Sequence, residues 1–147
     1  MILYIDTSDA DIMTIALGQN GKVVAKRSLK AKYKQAEKLL PAIDSLLKKM
    51  KVQKTLDIHG IVVVKGPGPF TALRIGVATA NALSYALKVP VVGITGNELG
   101  IRNHELCMND ELMQKVEERL KKNKKNSIIE PEYGREPNIT KSKKLLN

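Results

Sequence analysis

Apolar and polar positions along this chain fall into blocks with different periods. MILYID, residues 1–6, is an apolar run that ends on an acid. After a polar turn MTIALGQ resumes it, QNGK at 19–22 is a hairpin signal, and VVAKRSL carries the pattern on. Three short strands in a meander fit these runs. In QAEKLLPAIDSLLKKM, Leu39, Leu40, Ile43, Leu46, Leu47 and Met50 recur at the spacing of one helical face. That is a helix, and Pro41 must lie in or near its first turn or kink it. Residues 58–64 are apolar apart from His59 and Gly60, which reads as a central strand buried on both faces. A helix over about 71–87 and a strand in VPVVGIT complete the order βββαβαβ. A strand–helix–strand crossover requires a parallel pair within a mixed sheet, with helices covering a face. The fold class is therefore α/β.

After Gly96 the texture changes. Leu112, Met113, Val116 and Leu120 make one side of a modest helix over about 111–125. KKNKKNS is a charged linker, and the remainder reads as an extended basic tail with two prolines. This divides the chain into a lobe, 1–96, and a reduced segment, 97–147. The segment has too few large apolar residues for a core of its own and should pack on the lobe or stay mobile.

The 147 residues suffice for about one domain. Aromatics are 3% against 43% apolar residues, so the core must be aliphatic. A lone cysteine, Cys107, excludes an intramolecular disulfide and a cysteine cluster for zinc. No signal peptide or membrane-length run stands out, and the expectation is a cytoplasmic protein. Charge sharpens the picture. The formal net charge is +10, and residues 20–54 hold eleven Lys/Arg against two acids. Such a region suits RNA, an acidic partner or an anionic surface, or is a solvated lysine face. Only one aromatic, Tyr33, interleaves its lysines, too few stacking groups for a dedicated single-strand platform.

The stretch KGPGPFTALRIGVATANAL, residues 65–83, has the strand–turn–helix order of a phosphate loop. It lacks the Gly-Lys-Ser/Thr ending of a P-loop, and Thr71 stands where a dinucleotide fingerprint needs glycine. Pro67 and Pro69 have no N–H, so only Gly66, Gly68 and Phe70 can donate in the loop. A rigid turn fits better than an anion cradle. The helix beyond has two rows of small residues, Ala72/Gly76/Ala80 and Ala78/Ala82/Ala86. Gly76 costs about 1 kcal/mol relative to alanine, which is tolerated if its bareness permits a close contact. One row should face the sheet and the other a neighbouring helix or a second subunit. Arg74, in the first turn, is disfavoured by the helix dipole and should pair with an acid, either local or on a partner. Asp6-Thr7-Ser8 is an Asp-initiated turn before it is a metal or phosphate site, and the acids of the first hundred residues do not converge on a metal pair. His59 reads as a satisfied core residue, His104 has no histidine partner, and no nucleophile–His–acid set is evident; Cys107 shows no sign of activation.

Three stretches, ILYIDTS, EKLLPAIDSLL and GPGPFTALRIGVATANALSYALKVPVVGI, resemble the TsaB (YeaZ) family. These are dimerisation subunits of the bacterial machinery that makes threonylcarbamoyladenosine in tRNA. The family pattern is GPGSFTGLRIG, then a small-residue helix and a VVG strand. The likeness runs from Met1 to about Gly96, and EPEYGREPNITKSKK looks like the family's C-terminal segment. The resemblance implies an RNase H-like/actin-like ATPase (ASKHA) lobe with a vestigial nucleotide site at Asp6, Thr7, Ser8, Gly66 and Gly68. It implies a non-catalytic subunit with no metal of its own, ATP and Mg²⁺ entering only in the complex. Its partners would be a TsaD-like transferase and a TsaE-like ATPase, with tRNA reached indirectly and no membrane. The partner face would draw on Leu39, Ile43, Leu47 and Met50 from the first helix and Arg74, Ala78, Ala82 and Tyr85 from the second, and the same helices would form a homodimer when the partner is missing. Pro69 replaces the family's usual serine and Ala72 its glycine, and the second lobe, on the order of a hundred residues, is almost absent between Gly96 and Ile128. The alternatives are an ATP-using or proteolytic enzyme in its own right, or a free-standing RNA binder using residues 22–54.

Overall fold

The computed structural model describes residues 1–52, 57–98, 109–123 and 127–134. Strand β1, Ile2–Asp6, is buried along its whole length. β2, Ile12–Gln19, and β3, Lys22–Lys30, complete an antiparallel meander on one side of it. Asn20 and Gly21 both have positive φ, 52° and 71°, as the tight hairpin turn requires. Helix α1, Gln35–Lys49, leads into β4, Gly60–Gly66, which lies parallel to β1 on its other side. Helix α2, Phe70–Leu87, crosses to β5, Val91–Thr95, parallel to β4. The five strands stand in the order β3-β2-β1-β4-β5, and α3, Asp110–Lys122, closes the described chain of elements.

Strand alternation decides the layers. Leu3 and Ile5 of β1, with Ile61 and Val63 of β4, share a cluster with Leu39, Ile43 and Leu46 of α1 and Val77 and Ala80 of α2. Ile2 and Tyr4, with Val62 and Val64, turn the other way and meet Met113, Val116 and Leu120 of α3. The sheet is thus covered by α1 and α2 on one face and by α3 on the other. This is why β4 reads as continuously apolar: neither of its faces meets water. Each large aliphatic side chain so buried contributes about 1.5–3 kcal/mol. Both clusters are almost wholly aliphatic, with Tyr4 the one aromatic among their members.

Several expectations are corrected. α1 begins at Gln35, so Pro41 lies inside the helix and not in its first turn. Its missing N–H leaves the Glu37 carbonyl without an intrahelical donor, and the ring faces solvent. β4 begins at Gly60, two residues later than expected, and His59 is exposed before it. Its Nδ1 lies 2.7 Å from the N-terminal amine, outside the core. α3 ends at Lys122, earlier than expected, and starts behind Asn109, whose Oδ1 accepts from the Leu112 amide at 2.9 Å. α2 starts one residue early and ends where Lys88 takes a left-handed φ of 55°. His104, Cys107, the linker residues 124–126 and the tail from residue 135 lie outside the described residues.

Candidate functional site

Two places carry the residues singled out in the sequence. The first lies at the carboxyl ends of β1 and β4, where Asp6-Thr7-Ser8 meets the glycine-rich loop. Asp6 is 5% exposed. Its Oδ1 accepts from the Ser8 amide at 2.8 Å and from the Ser8 hydroxyl at 2.7 Å, and its Oδ2 accepts from the Tyr4 hydroxyl at 3.4 Å. Burial pushes the Asp6 carboxyl above its ordinary value, and the Ser8 and Tyr4 hydrogen bonds oppose that rise. Tyr4 is pushed well up, first by burial and then by Asp6. The arrangement is an Asp-initiated turn whose acceptors are taken by the chain itself.

Thr7 is fully buried and donates from Oγ1 to the Ala72 carbonyl at 2.6 Å. A side chain on Gly76 would collide with that same Oγ1, and one on Gly68 would collide with the Ser8 backbone. The two stretches therefore do come together, as the sequence suggested, but by packing against each other. Gly68 of the loop and Gly76 of the helix are bare because the first turn of the chain lies on them. On its other side the loop is covered. The Glu132 amide donates to the Lys65 carbonyl at 2.6 Å, the Lys65 ammonium pairs with the Glu132 carboxylate, and a side chain on Gly66, with φ of 143°, would strike the Glu132 carbonyl. Tyr133 stacks on Phe70 with ring centroids 4.3 Å apart. Among the described residues no three His, Cys, Asp or Glu side chains are grouped to hold a metal ion.

The second place is the outer side of the two-helix layer. Ala72, Gly76 and Ala80 are buried toward the sheet, while Ala78, Ala82 and Ala86 are exposed. Arg74 and Tyr85 are exposed too, Tyr85 at 82%. Arg74 has no acid partner among the described residues. Its guanidinium sits 5.2 Å from the centre of the Phe70 ring, one helical turn back, so a π-face takes the place of the expected carboxylate. On α1, Leu47 and Met50 are half-buried. Leu39 and Ile43 do not belong to this surface: at 1% and 4% exposed they point into the sheet, because α1 turns its 39/42/43/46 stripe inward. Leu40, 54% exposed, is the leucine of that pair that meets solvent.

Residues 127–134 are the feature that sequence reasoning missed. They pass from α3, beside β5, to the start of α2. Asn81 holds them with both ends of its amide: Nδ2 donates to the Ile129 carbonyl at 2.9 Å, and Oδ1 accepts from the Ile129 amide at 3.0 Å. Ile129 fills the space above Gly93. The carbonyl of Val91 accepts from Asn123 Nδ2 at 2.7 Å. One signal in the sequence was a polar amide, Asn81, set among small apolar residues; another was the likeness of EPEYGREPNITKSKK to the family's C-terminal segment.

Strand order, parallel crossovers and a three-layer packing define an actin-like α/β lobe of the ASKHA class. A family profile described as "TsaD: tRNA N6-adenosine threonylcarbamoyltransferase" matches residues 28–115. Two curated relatives are the tRNA threonylcarbamoyladenosine biosynthesis proteins TsaB of Bacillus subtilis (strain 168), 36% identical over 66% of this chain and 42% of its own, and of Escherichia coli (strain K12), 31% identical over 64% and 39%. A solved structure, YeaZ from Pseudomonas aeruginosa, superposes with a TM-score of 0.59 at 29% identity, over 64% of this chain and 43% of that one. The chain belongs to this family, in its TsaB (YeaZ) group. It spans about two fifths of the length of these relatives.

Proposed function

We propose that this chain is a non-catalytic subunit in the synthesis of threonylcarbamoyladenosine in tRNA, where it binds and activates a TsaD-like transferase through the α1/α2 face. The observation that carries this reading is the outward row Ala78/Ala82 on α2, flanked by Arg74 and Tyr85. A flat strip of methyl groups lets a second helix approach closely, and an exposed tyrosine and arginine at its rim are the residue types that anchor interfaces. Residues that make a lobe stable point inward; these four do not. The names of the relatives support the pathway. In this reading the work is done in the cytoplasm, a TsaE-like ATPase joins the assembly, and ATP with Mg²⁺ enters only there. Leu47 and Met50 extend the face onto α1, and Leu39 and Ile43 are removed from it by their burial.

Mixing the chain with a TsaD-like protein at micromolar concentration should give a heterodimer by light scattering. Ala82→Arg should abolish it, because an unpaired charge placed in a desolvated contact is worth several kcal/mol against association. A heterodimer that forms equally well with Ala82→Arg would show that another surface is used. Without the partner, the same substitution should also remove any homodimer.

A further inference from the structure

We propose that the turn between β3 and α1 is a direct RNA contact, in which Tyr33 stacks on an unpaired base and the surrounding lysines neutralise the flanking phosphates. This goes beyond the partner reading and does not depend on it.

Ala31 and Gln35 are both buried and fix the ends of the turn. The Ala31 amide donates to the Asp11 carbonyl at 2.8 Å, the Lys34 amide to the Ala31 carbonyl at 2.7 Å, and Gln35 Nε2 to the Ala10 carbonyl at 3.1 Å. Between these anchors Lys32, Tyr33 and Lys34 all project into solvent. Tyr33 occupies the third position of this β-turn with a φ of 57°, where glycine or asparagine folds at less cost and a bulky side chain is an outlier. Tyr33 is 90% exposed, and among the described residues its ring meets the Lys32 ammonium at 5.6 Å. A side chain so exposed buries almost nothing against the described lobe. A ring held out by a pinned turn, in an unfavourable backbone conformation, is placed for something outside the chain.

The surroundings say what. Lys32 and Lys34 flank the ring, Lys30 stands exposed at the end of β3, and Lys38 reaches back to donate to the Lys30 carbonyl at 2.8 Å. Asp11, 3.6 Å from Lys32, is the acid at the edge of this group. A π-face with one ammonium beside the ring and a second exposed lysine next to it in the chain matches a nucleotide: stacking for the base, cations for the phosphates near it. One ring suits one unpaired base in a folded RNA, where an extended strand would need several.

The probe is a fluorescein-labelled RNA hairpin with unpaired loop bases, titrated with the full chain and followed by anisotropy at several salt concentrations. A blunt RNA duplex of equal length is the control. The hairpin should bind more tightly than the duplex. Tyr33→Gly should weaken hairpin binding about tenfold or more and leave the salt slope unchanged. Because glycine suits the observed φ, this variant keeps the fold, and its melting temperature should be equal or higher. The Lys32→Ala/Lys34→Ala pair should lower the salt slope by about 1.5–2. The proposal is overturned by any of three results: no binding at low salt, equal affinity for hairpin and duplex, or Tyr33→Gly binding like the parent. Tyr33-dependent binding to phosphatidylserine vesicles in place of RNA would overturn it as well.

Discussion

Asp6 and Thr7 are neighbours in the chain and both are buried, yet their side chains serve different contacts. Asp6 closes its own turn; Thr7 reaches across to α2. Burial raises the folded-state pKa of Asp6 above its unfolded value. Such a group favours folding below about pH 4 and opposes it as pH rises through the raised value. Asp6→Asn keeps an acceptor for Ser8 and removes that opposition. Its melting temperature relative to the parent should rise from about pH 4 toward about pH 7 and converge below that range. A variant that is less stable at neutral pH than at acid pH, relative to the parent, would mean that the ionised carboxylate is needed. At this scale the sequence was legible where one residue's chemistry settles its role. Asn20-Gly21 announced its turn, and both residues take the positive φ it needs. Arg74 meets a ring four residues back where a local carboxylate was one of the two expected partners, and nothing in local sequence ranks ring against acid.

Helix α2 shows why two rows of small residues were visible while their assignments were not. Both rows have the same composition, but Gly76 faces Thr7 and Ala82 faces solvent. Gly76→Ala should destabilise the fold by about 1–3 kcal/mol, although alanine is the better helix former by about 1 kcal/mol. The added methyl must displace Thr7 from its hydrogen bond to Ala72. Adding Thr7→Ala should recover part of that loss, so a thermal or urea double-mutant cycle should give a coupling of about 0.5 kcal/mol or more. Additive effects would count against the contact. On α1 and α2, Leu39→Ala should cost about 2–5 kcal/mol and Tyr85→Ala no more than about 0.5 kcal/mol, the first acting on the core and the second on the outer face. The periodicity of α1 identified its apolar residues but placed a wider stripe than the sheet covers, which is how Leu39 and Ile43 came to be read as surface.

For the molecule as a whole, the order of elements was written in alternation, helical spacing and turn signals. The position of residues 127–134 was not. Their hold on the lobe includes the side chain–backbone bonds between Asn81 and Ile129, a backbone bond and an ion pair to Lys65 and the Tyr133–Phe70 stack, and such contacts leave no periodic trace. Asn81→Ala should remove both amide bonds and leave the Ile129 backbone unsatisfied where it is half-buried, at a cost of about 1–3 kcal/mol. Hydrogen exchange should then quicken at the Ile129 and Glu132 amides while those of β1 and β4 keep their protection. Uniform quickening throughout the sheet would show that the segment is part of one cooperative unit with the core.

The hydrogen bond from Asn123 to the Val91 carbonyl has a bearing on solubility. Among the described residues β5 is an edge strand of five residues, buried at Val91, Val92 and Ile94, with Ser127 and Ile129 beside it. The opposite edge, β3, carries Lys22, Lys26 and Lys30 and is already guarded by charge. β5 has no charged side chain of its own, so its protection is the chain that passes over it. A copy nicked ahead of Ser127 would present an apolar template to the next copy, and strand addition there would turn a folded lobe into the first layer of an aggregate.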